Sequence, residues 1–210
     1  MRKTIALILG FAIATATFLN AVAQQNSKQK LTLEDLYKNN VFRQKGITAV
    51  RWMKDNKGYS ALETNQNVGG KDIVVYDAKT GDRRVLVSAE KLIPTGEKNP
   101  LIIGDYAWSV DNGKLLIFTN TRKVWRQHTR GDYWVLDLNN AKLTQIGSSF
   151  EPARLMFAKF SPDAKNVGFV YKNNIYVQSL ENGKTEQLTF DGNDRVINGT
   201  FDWVYEEELN

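Results

Sequence analysis

The chain has 210 residues, 42% hydrophobic and 24% charged, the composition of a globular protein with a sizeable core and not of a disordered or fibrous one. Its 28 basic and 23 acidic side chains give a formal charge of +5, too mild to argue for nucleic acid, and Arg2 and Lys3 at the extreme N-terminus supply two of those charges. Cysteine is absent and His128 is the only histidine, which excludes disulfides, thiolate metal sites and a lipid-modified cysteine; neither a metal nor a cofactor is expected.

Residues 1–23 form a unit of their own. Arg2 and Lys3 precede an uncharged apolar run from Thr4 to Leu19, and Ala21 and Ala23 follow in an A-x-A arrangement. Charged head, apolar run and small-residue site together predict a Sec-type signal peptide cleaved near Ala23. The run falls short of the roughly 20 residues that span a bilayer. The expectation is therefore an exported protein, periplasmic or secreted, that begins at Gln24 and keeps no membrane anchor.

The stretch 24–41 reads as a lead-in with one short helix. Thr32 stands three residues before Asp35, a capping arrangement ahead of Leu33, Leu36 and Tyr37.

From residue 42 to residue 210 the period changes. Short runs such as "ITAVRWM", "YSALE", "DIVVYD", "KLLIFTN", "DYWVLDL", "NVGFVY" and "NIYVQSL" alternate with "DNKG", "KTGD", "DNGK", "SPDAK" and "ENGK". Runs rich in Val, Ile, Tyr, Phe and Trp between turn residues are strand and hairpin signals. Three segments, "RWMKDNKGYSALE", "AWSVDNGKLLIFT" and "KFSPDAKNVGFVY", share one plan, with turn aspartates Asp55, Asp111 and Asp163. Each is followed by a second hairpin, so a four-stranded unit recurs at propeller-blade spacing. The expected fold is all-β: about three and a half blades of a β-propeller. Propellers close with about four to eight blades, so 42–210 is expected to be the N-terminal part of a longer propeller.

The requirements of covalent catalysis are not met within these residues. No G-x-S-x-G occurs; "GYSAL" and "GSSFE" lack the second glycine. The basic stretch "TRKVWRQHTRGDY" gathers Arg122, Lys123, Arg126 and Arg130 around Trp125 and His128. On its own it reads as a solvated connection between strands; a second reading aims one arginine at a substrate carbonyl or carboxylate. At the end of the chain stand Glu206, Glu207 and Glu208, which repel one another. Either Asp202 caps a short helix and leaves them in water, or a cationic partner meets them.

The segment "NGTFDWVYEEEL" resembles the double-glutamate motif of the dipeptidyl peptidase IV family of serine exopeptidases, and "KVWRQH" resembles that family's tryptophan–arginine segment. "LTLEDLY" and "FSPDAKNVGFVYKNNIYV" fit the same N-terminal region. The resemblance implies an eight-bladed propeller joined to an α/β-hydrolase domain bearing a Ser, Asp and His triad. It further implies release of dipeptides with proline or alanine second, and a homodimer. By position, Glu207 and Glu208 match the pair that grips the substrate's free amine, and Arg126 matches the arginine near its backbone carbonyl. Gln127 and His128 stand where the family often has His and Ser. The triad lies outside these 210 residues, which are therefore expected to be inactive alone. The competing reading is a non-catalytic exported β-propeller that binds peptides or a protein partner, with its glutamates as surface charge.

Overall fold

The computed structural model describes residues 31–39, 41–43, 50–202 and 204–208, without the side chains of Glu206 and Glu207. The expected leader 1–23 and its cleavage point lie outside them, as do residues 47–49 at the start of "ITAVRWM". Among the described residues no helix is long and apolar enough to cross a membrane. The chain divides into two units between Gly46 and Ile47, each described by itself.

In the first unit Leu33–Tyr37 form the helix α1. The Thr32 hydroxyl accepts the Asp35 N–H at 3.1 Å, and an Asp35 carboxylate oxygen accepts the Thr32 N–H at 3.1 Å. This reciprocal capping is the one expected from the Thr32–Asp35 spacing. The bonds to Thr32 also hold the Asp35 carboxyl below the usual aspartate range. No residue of α1 is buried, so its ends rather than a packed face define it.

Among its described residues the second unit contains twelve strands. They are β1 Val50–Trp52, β2 Gly58–Thr64, β3 Lys71–Asp77, β4 Arg83–Val87, β5 Asp105–Trp108 and β6 Lys114–Val124, followed by β7 Gln127–Asp137, β8 Lys142–Ile146, β9 Leu155–Phe160, β10 Asn166–Tyr171, β11 Asn174–Ser179 and β12 Thr185–Gln187. Within β1–β4, β5–β8 and β9–β12, consecutive strands pair antiparallel, which makes three four-stranded blades. Blades 2 and 3 are stitched together where β7 also pairs with β9, Arg130 opposite Met156 and Gly131 opposite Leu155.

The apolar text follows from this stacking. Successive side chains of a strand point to opposite faces. Leu115 and Ile117 of β6 pack with Ile73, Val87, Trp108 and Leu136 between blades 1 and 2. Leu116, between them in sequence, packs with Tyr133, Leu155, Val167 and Phe169 between blades 2 and 3. Blade 2 is buried on both faces, which is why "LLIF" is a continuous run instead of an alternating one. Each fully buried Leu or Ile contributes about 1.5–3 kcal/mol.

Two local devices recur from blade to blade. In the first, the turn after a blade's first strand is closed by its aspartate. Asp111 accepts the Gly113 N–H at 2.9 Å and the Ser109 hydroxyl at 2.6 Å; Asp163 accepts the Lys165 N–H at 3.1 Å and the Ser161 hydroxyl at 2.6 Å. Asp55 accepts the Lys57 N–H at 3.1 Å, with Met53 where the other blades have serine. These aspartates are turn-formers, as their spacing predicts. In the second, a polar side chain on each blade's third strand takes a backbone N–H from the outgoing connection. Asp72 binds Ala89 N at 2.7 Å, Asp132 binds Ala153 N at 2.6 Å and Asn174 binds Gly192 N at 3.0 Å.

Beyond β12 the described residues form bends and one π-helical turn, Val204–Glu208, with no strand. The half-blade expected there contains loop and helical turn.

Candidate functional site

The stretch read as a solvated connection is a continuation of the two longest strands. β6 and β7 each run 11 residues, and only Trp125 and Arg126 form the turn between them. The register shifts twice between Thr119 and Lys123, so the outer part of the hairpin is irregular. Its polar composition hid it: past the blades there is no core on either face, so alternation has nothing to report.

Arg126 thus sits at the tip of a long hairpin. Trp125, beside it, has φ of +55° and is 76% exposed. A bulky residue in the left-handed region costs energy, and here it gives the turn that presents Arg126. Behind the tip, Thr121 Oγ1 and His128 Nδ1 share a hydrogen bond of 2.8 Å across the strands. Deeper still, Asn120 donates to Asp132 Oδ2 at 2.7 Å, while the other oxygen of Asp132 holds Ala153 N. The inter-blade tether and the root of the hairpin therefore share one carboxylate.

The terminal acidic segment reaches the same place. Asp202 Oδ1 accepts the N–H groups of Val204 and Tyr205 at 3.0 and 3.2 Å, an N-terminal cap on the turn Val204–Glu208. The turn delivers Glu208 to the hairpin: Arg126 Nη1 lies 2.7 Å from Glu208 Oε1, with side-chain exposures of 65% and 38%. Of the three residues marked in the sequence, Arg126 and Glu208 are brought together. Glu207 is the penultimate residue of the same turn, and its side chain lies outside the described residues.

An arginine has five donors in a planar fork, a geometry that matches carboxylate and carbonyl acceptors. A carboxylate has lone pairs beyond the one used. An exposed Arg–Glu pair of this kind can hold a ligand carrying both a cation and a carbonyl. It is not a nucleophile–base arrangement: among the described residues no carboxylate orients the second nitrogen of His128, as a catalytic imidazole requires. Among the described residues two clefts flank the hairpin, and neither is lined by Arg126 or Glu208. One, of about 760 Å³, is lined by Asn120, Thr121 and Asp132 together with the connection through Glu97 and Ile102. The other, of about 370 Å³, is lined by Arg130, Arg154 and Lys172. That second gathering of cations was missed in the sequence because its members come from three separate segments.

Residues 109–210 match the family described as the dipeptidyl peptidase IV N-terminal region. A probable dipeptidyl-aminopeptidase B of Phaeosphaeria nodorum is 30% identical over 96% of this chain and 24% of its own length. Dipeptidyl peptidase 4 of Felis catus is 29% identical over 89% of this chain and 23% of its own. Among solved structures, dipeptidyl peptidase 4 of Porphyromonas gingivalis superposes with a TM-score of 0.68 at 25% identity, over 88% of this chain and 25% of that one. The chain thus spans about a quarter of the length of the relatives it matches. With its three stacked blades, its tryptophan–arginine hairpin and its terminal glutamates, the chain belongs to the dipeptidyl peptidase IV family, whose N-terminal propeller region it carries.

Proposed function

We propose that this chain is the substrate-recognition propeller region of an exported serine dipeptidyl peptidase that releases Xaa-Pro and Xaa-Ala dipeptides from peptide N-termini. Glu207 and Glu208 bind the substrate's α-ammonium, and Arg126 binds the backbone carbonyl of its first residue. The nucleophile comes from an α/β-hydrolase domain outside these residues, and the whole protein works as a homodimer. The family membership supports the class of reaction. The observation that supports this reading of the site is the ion pair of Arg126 with Glu208 at 2.7 Å, a cation beside an anion.

The physics of the assignment is simple. A peptide's α-amine has a pKa near 8 and is largely cationic at neutral pH, whereas glutamate carboxyls near 4.3 are ionised. Each charge-assisted hydrogen bond between them contributes about 1.5–3 kcal/mol. An internal peptide bond offers no such cation. Paired glutamates therefore measure the distance to the N-terminus and make the enzyme an exopeptidase.

The protein carrying this chain is assayed on glycyl-prolyl and N-acetyl-glycyl-prolyl substrates. The free-amine substrate should be turned over at least 100-fold faster in kcat/KM, and Glu207→Gln with Glu208→Gln should remove most of that advantage. Equal turnover of the two substrates would sink the amine-gripping role. The Asp202 cap favours a second reading, since it accounts for an acidic turn with no ligand at all. On that reading the chain is a non-catalytic exported propeller, and neither substrate is cleaved.

A further inference from the structure

Four residues on from Arg126, in β7, Arg130 stands half-buried in the cleft of about 370 Å³. Arg154, just before β9, and Lys172, in the β10–β11 turn, line the same cleft with Asn173, Asn193 and Asp194. The pairing of β7 with β9, Arg130 opposite Met156, brings the cations of blade 3 to the hairpin of blade 2. Two of the three are already matched: Lys172 Nζ donates to Glu151 Oε1 at 2.7 Å, and Arg154 Nε lies 3.6 Å from Glu151 Oε2. Arg130 has no ion pair among the described residues. Among the described residues, this half-buried guanidinium has no anion to offset the hydration that burial removes. Its planar fork fits a carboxylate in bidentate fashion.

We propose that Arg130, supported by Arg154 and Lys172, is a second anchoring site that takes an acidic side chain of the bound peptide, a few residues beyond the peptide's N-terminus. The position along the peptide rests on the reading above, in which the N-terminus lies at Arg126 and Glu208. Four residues of strand span about 13 Å at 3.3 Å per residue. An extended peptide covers that span in about four residues, so a glutamate at the third to fifth position reaches the cleft. The single charge of a carboxylate suits the site better than the higher charge of free phosphate, because Asp194 lines the cleft and Glu151 stands against two of its cations.

The test uses the full chain and peptides of the form Gly-Pro-Gly-Gly-Gly-Gly, with Glu or Gln walked through positions three to six. Dissociation constants are measured by calorimetry for each peptide and for its N-acetylated form. Glu should be preferred over Gln by about 10-fold at one or two adjacent positions. Arg130→Gln should bring the ratio to about one, and Arg130→Lys should restore part of it, which a merely folding-defective variant would not do. Acetylation tests the amine site separately. If acetylation has no effect while the Glu preference stands and depends on Arg130, the amine reading fails and the Arg130 site survives. A Glu-to-Gln ratio near one in the unaltered chain, or a preference that persists in Arg130→Gln, overturns the proposal. Inorganic phosphate that binds through Arg130 with no Glu preference among the peptides overturns it equally.

Discussion

Arg126 and Glu208, one at the tip of the β6–β7 hairpin and the other at the end of the chain's last helical turn, meet with Nη1 2.7 Å from Oε1. The side chains are 65% and 38% exposed, so water screens them. Exposed pairs contribute about 0–1 kcal/mol to stability. Arg126→Gln combined with Glu208→Gln should therefore shift the thermal midpoint by no more than about 2–4 °C. The same double variant should lose most of its affinity for peptides with a free amine. A drop beyond 10 °C in calorimetry would mean that the pair is structural and that the site reading misplaces its purpose.

The blades were legible in the sequence because their signals are local. Asp111 and Asp163 make their turns with residues two positions away, and the apolar runs of β6 and β10 start from those turns. The capping of α1 by Thr32 and Asp35 was legible for the same reason. The outer half of the β6–β7 hairpin was not, because strands that leave the core lose the alternation by which strands are recognised. Neither was the short 3₁₀ turn Ala89–Leu92 in the connection between blades 1 and 2, in which Ala89 and Leu92 are buried. Arg126 and the glutamates were marked by motif alone, and their meeting is a tertiary fact. The cleft at Arg130 had no motif, since Arg154 and Lys172 join it only through the pairing of β7 with β9.

Asp132 gives a second test, because one carboxylate holds both the connection to blade 3, through Ala153 N at 2.6 Å, and the root of the Arg126 hairpin, through Asn120 at 2.7 Å. Ala153 is buried, so Asp132→Ala leaves its N–H without a partner, at a cost of about 1–3 kcal/mol. Asp132→Asn should be much milder, since Asn174 performs the same task in blade 3 through Gly192 N. Denaturant melts of the two variants are the measurement. The expected order is wild type above Asn above Ala; equal loss in Asn and Ala would show that charge, not the backbone tether, is what blade 2 needs.

Acid should loosen the fold in a definite direction. Asp111 and Asp163 are held below the usual aspartate range, first by the hydroxyls of Ser109 and Ser161 and next by the N–H groups of Gly113 and Lys165. Glu63 is held low by Arg83 and then by the Tyr76 hydroxyl, and Glu151 by Lys172 and then by Tyr171. A carboxyl whose folded pKa is depressed contributes stability that is fully present above its unfolded value, near 4, and is lost as pH falls through the folded value. The midpoint of urea unfolding should hold steady from pH 7 to about 5 and fall progressively below about 4. Ser109→Ala removes the largest cause at Asp111 and strips the Lys114 N–H of the hydroxyl that accepts it at 2.8 Å. That variant should be less stable by about 1 kcal/mol at pH 7, with a smaller further loss on going to pH 3 than the unaltered chain. A midpoint that rises on acidification would reverse the sign and remove these turn carboxylates from the account of what holds the blades.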